Sequence, residues 1–351
     1  MKILQIMAGA DTGGAELFFE RLCIAMNKQN SIEQRVLIRK NSDRKKRLET
    51  GGVNSVELKF GGKLDWQTPC AIKREIKSFK PDIVLTWMNR ATNMCPAPKG
   101  GDFVHVARLG GYYDLKYYQT CDHLVGNTQD LVNYLIKENW PAEKTHYLPN
   151  FVTEEVAEPH NRKTYFTPDK APLLLAMGRL HENKAFDILL QAMACVPDAY
   201  LWIAGDGPLG DQLDKLAEKA GVKSRVRFLG WRDDTAALLS TADLFVCPSR
   251  HEPLGNVVIE AWAHNTPVVA ADSNGPRTLI EHLETGVLVT VDDPAMLARG
   301  IENVLGDPSL ADRMVEKGRA EYEANFTEDI VVNQYLEFFK KVTTPCAALP
   351  V

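Results

Sequence analysis

Apolar and polar positions change period repeatedly along the chain, and each change marks an element. Short runs rich in Val, Ile and Leu, bounded by Gly, Pro, Asn or Asp, read as strands; apolar residues three and four apart read as helices. Strands are predicted over residues 3–7, 35–38, 53–58, 82–86, 103–107 and 123–125. Helices are predicted at 14–26 and 66–79, with another running to residue 137 from a cap at Asn127 or Thr128. Residues 151–171 are charged, punctuated by proline and without lasting periodicity, so they read as a linker. A second series then places strands at 173–177, 200–204, 226–229, 244–247, 268–270 and 287–289, and helical patterns follow from residue 296.

Alternation of this kind implies an α/β protein built on mainly parallel sheets covered by helices. The expected organisation is two doubly wound, Rossmann-like domains, 1–150 and 172–326, facing a central cleft. A length of 351 residues suits two such cores. The apolar start MKILQIMAGADTGG is cut short by Asp11 and reads as a first strand, not a secretion signal. No apolar run is long enough to span a membrane. Seven scattered cysteines without a C-x-x-C pair fit reduced thiols, hence a cytoplasmic protein, and give no metal cage.

Charge is unevenly distributed. Residues 1–155 carry 22 Lys+Arg against 18 Asp+Glu, a balance of +4, so the remainder carries −9 of the net −5. The densest basic cluster is Arg39, Lys40, Arg44, Lys45, Lys46 and Arg47. It reads first as a solvated helix face and second as a contact for an anionic membrane surface or an acidic acceptor. No nucleic-acid partner is expected.

The chemistry concentrates in the second half. In HEPLGNVVIEA, from His251, a strand-like run gives way to a loop with Glu252, and Gly255 opens a helical segment bearing Asn256, Val257 and Glu260. The first backbone N–H groups of a helix lack internal partners and sit at the positive end of the macrodipole, so residues 255–257 suit a phosphate. Glu260 follows Asn256 by four positions on the same face, where its carboxylate can accept the two hydroxyls of a ribose. Glu252 is free to meet hydroxyls at the ligand's far end. A phosphate between two hydroxyl-rich ends describes a nucleotide sugar, although acidic residues in a first helical turn also suit the dipole with no ligand at all.

Directly after the first strand of this half, GRLHENK brackets a short loop with Arg179 and Lys184, two cations suited to a diphosphate, or ordinary surface charges. FLGWRDD places Gly230, Trp231 and Arg232 after another strand, within reach of a nucleobase edge; Trp231 reads equally as core. In the first half, GADTGGAE offers Gly13 and Gly14 to an anion at a helix start, or forms a plain tight turn. MNRAT and RLGGYYD also follow strands, making Asn89, Arg90, Tyr112 and Asp114 candidate acceptor contacts.

Taken together, GRL-x-x-x-K, the AGDGP turn, FLG, the E-x(7)-E pair in EPLGNVVIEAWA, and TPVVA resemble the retaining glycosyltransferases of family four, which have the GT-B fold. The resemblance implies that Arg179 and Lys184 bind the donor diphosphate and that Glu252 contacts the donor sugar. It implies that Gly255, Asn256 and Val257 offer amides to phosphate and sugar and that Glu260 holds the ribose. It also implies that Gly13 and Gly14 close over the donor and that a last helix, about 327–342, returns to the first domain. The family's first-domain histidine has no clear counterpart: Arg108 stands at the expected place and His105 lies three positions earlier. As its equivalent, Arg108 would stabilise the leaving diphosphate or the acceptor rather than act as a base.

The function expected is transfer of a sugar, with retention, from a UDP- or GDP-sugar to a glycan or lipid-linked glycan, in lipopolysaccharide core or exopolysaccharide synthesis. The place expected is the cytoplasm, peripherally on the inner face of the membrane. No D-x-D occurs, so no metal or cofactor is expected beyond the nucleotide sugar as co-substrate. A sugar-nucleotide epimerase and a non-catalytic sugar-binding module are the alternatives; an oxidoreductase fits poorly because neither glycine-rich turn matches the dinucleotide fingerprint.

Overall fold

The computed structural model describes residues 1–11, 13–62 and 64–344. The chain divides into two compact units, Met1–Phe151 with the chain from Glu328 onward, and Val152–Thr327. Each is built on its own parallel sheet.

The first unit runs β1 (Lys2–Met7), α1 (Gly14–Asn27), β2 (Glu33–Arg39), α2 (Ser42–Thr50), β3 (Ser55–Leu58), α3 (Gln67–Phe79), β4 (Ile83–Trp87), α4 (Met88–Met94), β5 (Val104–Leu109), β6 (His123–Gly126), α5 (Gln129–Lys137) and β7 (Thr145–Tyr147). Its strand order is β3-β2-β1-β4-β5-β6-β7, so the winding reverses between β1 and β4. In a sheet of this kind ligands collect beyond the carboxyl ends of the strands at that reversal. Thr128, not Asn127, caps α5 by accepting Leu131 N at 3.1 Å.

The second unit runs β8 (Leu173–Met177), α6 (Phe186–Met193), β9 (Tyr200–Ala204), α7 (Gly210–Lys219), β10 (Val226–Gly230), α8 (Thr235–Thr241), β11 (Leu244–Cys247), α9 (Asn256–Ala263), β12 (Val268–Ala271), α10 (Asn274–Leu279), β13 (Val287–Val289), α11 (Pro294–Gly306) and α12 (Pro308–Asn325). The order is β10-β9-β8-β11-β12-β13, reversing between β8 and β11. Buried on both faces, β8 and β11 read as unbroken apolar runs. Helices α11 and α12 start alike, Asp293 and Asp307 accepting two backbone N–H groups each ahead of a proline in the first turn.

The last helix, α13 (Glu328–Thr343), belongs to the first unit, where Val331, Tyr335 and Phe339 join the core formed with α1, β1 and β4. Two sequence expectations change here. The stretch read as a linker is anchored in the second unit: Tyr165 packs edge-on against Trp202 at 4.9 Å between ring centres, and Thr167 Oγ1 accepts the Trp202 indole N–H at 2.9 Å. The basic cluster is not simply a solvated face. Arg44 is buried, with Nε 3.1 Å from Glu20 Oε1 and Nη2 2.7 Å from Ala10 O, and Arg47 also pairs with Glu20.

Candidate active site

The carboxyl edge of the second sheet is built by backbone segments stacked closer than side chains permit. Gly178 N donates to Ala204 O at 3.0 Å, Leu180 N to Asp206 O at 3.0 Å, and Gly205 N to Gly230 O at 2.7 Å. A Cβ on Gly205, which has φ 146°, would lie 1.9 Å from Gly178 O. Only glycine fits, so the AGDGP turn supports the loop after β8 from beneath. That loop ends in a short 3-10 turn, Glu182–Lys184, and folds the Lys184 stem across Gly178, whose missing Cβ leaves the room.

The loop after β11 meets it from the other side of the reversal. His251 N donates to Asn183 O at 3.2 Å, and the Lys184 ammonium forms an ion pair with Glu252 Oε2. Glu252 is 7% exposed and also accepts the Ser249 hydroxyl at 3.5 Å. Burial alone would lower the Lys184 ammonium, but the charge and hydrogen bond of Glu252 outweigh it, and smaller pulls from Cys247 and Glu260 help hold it above its ordinary value. Glu260 therefore lies within electrostatic reach of Lys184. Arg179, exposed on the preceding segment, makes no ion pair among the described residues.

Gly255 occupies the N-cap of α9 with φ 72°, a left-handed conformation that favours glycine, and brings no capping side chain. The helix's first turn closes through Val258 N on Gly255 O at 2.8 Å, and Asn256 and Val257 stand between cap and bond at the positive end of the helix. Gly275, at the start of α10, clamps this loop: its N donates to Glu252 O at 2.7 Å, and a Cβ there would lie 2.6 Å from both Glu252 O and Gly255 N. Glu260 and Val257 are half-buried one turn or less along the helix.

Gly230 ends β10 at φ 68°, two strands away from β8. Trp231 is 74% exposed, so it is not core and presents its ring at the edge. Arg232 is held by Asp234, Nε to Oδ1 at 2.7 Å, and Asp234 in turn meets His160 Nε2 at 2.9 Å. The structure thus gathers Arg179, Lys184, Glu252 and the start of α9 on one edge, with Gly230 and Trp231 farther along it.

In the first unit, Gly13 is the N-cap and Gly14 the first residue of α1, which follows β1 at the reversal beside β4, and Gly14 has open space where a Cβ would stand. Glu16 is buried and accepts Ala10 N at 2.7 Å, folding the glycine loop back over its own helix. Asn89 accepts the Tyr118 hydroxyl, Arg90 donates to Phe60 O at 3.2 Å, Tyr112 donates to Asp130, and Asp114 pairs with Lys116 at 2.6 Å. All follow β4 or β5, and so reach the same carboxyl edge.

Arg108 corrects the sequence expectation of a catalytic cation. Its guanidinium is 1% exposed, stacked between Phe18 and Trp87 at 4.6 and 4.7 Å, and donates to Tyr335 Oη at 2.8 Å and to Asn150 Oδ1. It pins α13 to the first sheet. His105 is fully buried, bonded to Thr86 Oγ1 at 3.0 Å and Thr120 O at 3.2 Å, and burial lowers it to about 4. It is a core histidine.

Sequence reasoning missed Arg250. Its guanidinium grips Asp187 through two bonds of 2.9 and 2.6 Å, donates to Glu182 O at 2.8 Å and pairs with Asp292, tying the Glu252 loop to the Lys184 turn. Asp187 lies 63 and Glu182 68 residues before it, and Asp292 lies on the far side in sequence, so no local spacing announces it.

Residues 157–321 match the family described as glycosyl transferases group 1. A lipopolysaccharide core biosynthesis glycosyltransferase, LpsE, of Rhizobium meliloti (strain 1021) is 36% identical over 340 residues, 96% of this chain and 98% of that one. Among solved structures, a glycosyltransferase from Rickettsia africae ESF-5 superposes with a TM-score of 0.86 at 19% identity, covering 98% of this chain and 99% of the other. Anabaena Alr3699/HepE in complex with UDP gives a TM-score of 0.84 at 22% identity, covering 97% and 100%. The two parallel sheets are those of the GT-B fold, and the chain belongs to the group 1 glycosyltransferases, a family of transferases.

Proposed function

We propose that this enzyme transfers a sugar, with retention at the anomeric carbon, from a UDP- or GDP-sugar to a carbohydrate or lipid-linked acceptor in lipopolysaccharide core or exopolysaccharide assembly, working at the cytoplasmic face of an anionic membrane. The observation that carries the reading is the meeting of Lys184, Glu252 and the α9 N-terminus at the sheet reversal, with Glu260 one turn along. A nucleoside diphosphate sugar has an anion flanked by two polyols, and this edge has donors and cations flanked by two carboxylates. The Rhizobium relative's role in core biosynthesis and the UDP held by the Anabaena protein support the same reading.

As the anomeric carbon–oxygen bond breaks, negative charge grows on the departing diphosphate. Lys184, Arg179 and the amides at the start of α9 stabilise that charge, while Glu252 orients the sugar through its hydroxyls and Glu260 holds the ribose. Trp231 offers a face to the base. In the first unit, Asn89, Arg90, Tyr112 and Asp114 meet the acceptor. Because two side-chain cations serve the diphosphate, turnover proceeds in a chelator without added metal.

Thermal unfolding against a panel of nucleotide sugars tests the proposal, since a ligand at 100 times its dissociation constant adds about 2.7 kcal/mol. One or more UDP- or GDP-sugars should raise the midpoint, and that donor should turn over only when an acceptor glycan is present. Turnover without an acceptor would point instead to an epimerase, and a panel without any shift would sink the donor assignment.

A further inference from the structure

One face of the first unit carries charge and apolar surface that the transfer site does not use. Helix α3 turns Lys73, Arg74 and Lys77 to solvent, and Lys80 follows as its C-cap. The helix's single acid, Glu75, is taken by Arg35. Lys73, Lys77, Lys80 and Lys99 rim a groove of about 710 Å³ floored by Ile76, Pro96, Ala97 and Phe103. Asp102 is the one carboxylate in that lining and accepts Lys99 N at 2.8 Å. None of the four lysines makes an ion pair among the described residues.

At the other end of α3, where the loop leaves the carboxyl end of β3, Leu64 is 94% and Trp66 70% exposed. The helix separates these features by about 20 Å. By contrast, the cluster on α2 that dominates the sequence is partly neutralised, Arg44 and Arg47 by Glu20 and Lys45 by Glu49 at 3.8 Å.

We propose that this α3 face docks on an anionic phospholipid bilayer. The cations lie over lipid phosphates, Trp66 and Leu64 enter the boundary between headgroups and acyl chains, and the groove receives the apolar part of one lipid whose phosphate meets the lysine rim. Charge complementarity selects this occupant. Unpaired ammonium groups around an apolar floor match an anionic amphiphile, and Trp beside a basic helix face is the composition of an interfacial contact. Docked in this way, the carboxyl edge bearing Asn89 and Tyr112 shares the end of the unit that Trp66 carries into the interface, which suits a lipid-linked acceptor. The inference rests on the membrane-facing part of the proposed function alone.

Flotation with vesicles tests it. The intact chain is mixed with phosphatidylcholine vesicles, with or without phosphatidylglycerol, at low and high salt. The wild type should float only with phosphatidylglycerol present, and less in high salt. At roughly fivefold per cation, Lys73→Glu/Lys77→Glu/Lys80→Glu should weaken binding by at least about a hundredfold. Leu64→Ser/Trp66→Ser should weaken it separately, whereas Lys45→Glu/Lys46→Glu on α2 should leave it within about threefold. A nucleotide-induced thermal shift retained by each variant shows that it folds. Equal binding to neutral vesicles, or triple-variant binding at the wild-type level, overturns the proposal. Failure of the wild type to float, as for a surface built to meet an acidic protein, also overturns it; if that protein still responds to nucleotide, the transferase reading stands.

Discussion

Lys184 and Glu252, 68 residues apart in the chain, form an ion pair where β8 and β11 diverge. Glu252 keeps the Lys184 ammonium charged despite burial, and so holds a cation ready at the place where the proposed leaving group departs. On the proposed function, a diphosphate would compete with the carboxylate for the ammonium and release Glu252 to sugar hydroxyls.

Lys184→Ala should therefore lower kcat by about 10²- to 10³-fold, the usual consequence of removing one group that stabilises transition-state charge, and change KM less. Steady-state kinetics with the donor identified by thermal shift is the check. A variant with wild-type turnover would show that Lys184 serves only to neutralise Glu252.

Arg108→Met should act on stability. It removes charged hydrogen bonds to Tyr335 and Asn150 and leaves their polar groups buried, for a loss of about 2–4 kcal/mol. Urea unfolding should show the loss, while kcat per folded molecule in the cold stays near wild type. A fall in kcat at unchanged stability would return Arg108 to the chemistry.

Two glycines should behave oppositely. Gly205→Ala forces a methyl group against Gly178 O at 1.9 Å and should destabilise the fold by about 3 kcal/mol. Gly14→Ala meets no atom within 4 Å and should stabilise helix α1 by about 0.5–1 kcal/mol, yet slow turnover by crowding the glycine turn proposed to meet an anion. Paired measurements of unfolding and rate separate the two effects.

Acid should weaken the first unit. Burial lowers His105 to about 4, with Thr120 O and Asp122 opposing only in part, and burial then His123 and Lys341 lower His146 to about 4. A group whose folded pKa is depressed stays neutral in the native state while the unfolded chain takes a proton, so the stability present above about pH 6.5 is lost as pH falls towards 4. For fully buried His105 this is on the order of 3 kcal/mol, and His105→Gln should flatten the pH dependence of urea unfolding over that window.

Most strands, and the helices with strong apolar periodicity, were legible because each is a local pattern. Helix α2 showed only as a charged helix face without bounds, its apolar side reduced to Leu48, and α4 follows β4 with no intervening loop to announce it. Strand β7 is three residues long, too short for any period to register. In the second unit, Lys184, Glu252 and Glu260 stood out through their spacing from glycines. Arg250 did not, because Asp187 and Asp292 lie on other elements. Arg108 misled for a related reason: a cation at a strand end looks available until α13, more than 200 residues later, covers it with Tyr335.

The sequence by itself determined two alternating α/β series, the glycine positions where backbone must approach backbone, and the residues at each strand's carboxyl end, all consequences of short-range sterics and side-chain period. Strand order was decided only by tertiary packing, since a parallel crossover joins β8 to a neighbour on either side without any local mark. That order sets where the winding reverses, and the reversal brings Lys184 to Glu252, while α13 covers Arg108 and α3 keeps its lysines on its solvent side. Charges are easy to count along a chain, but burial and partners fix what each one does, and both come from residues far away in sequence.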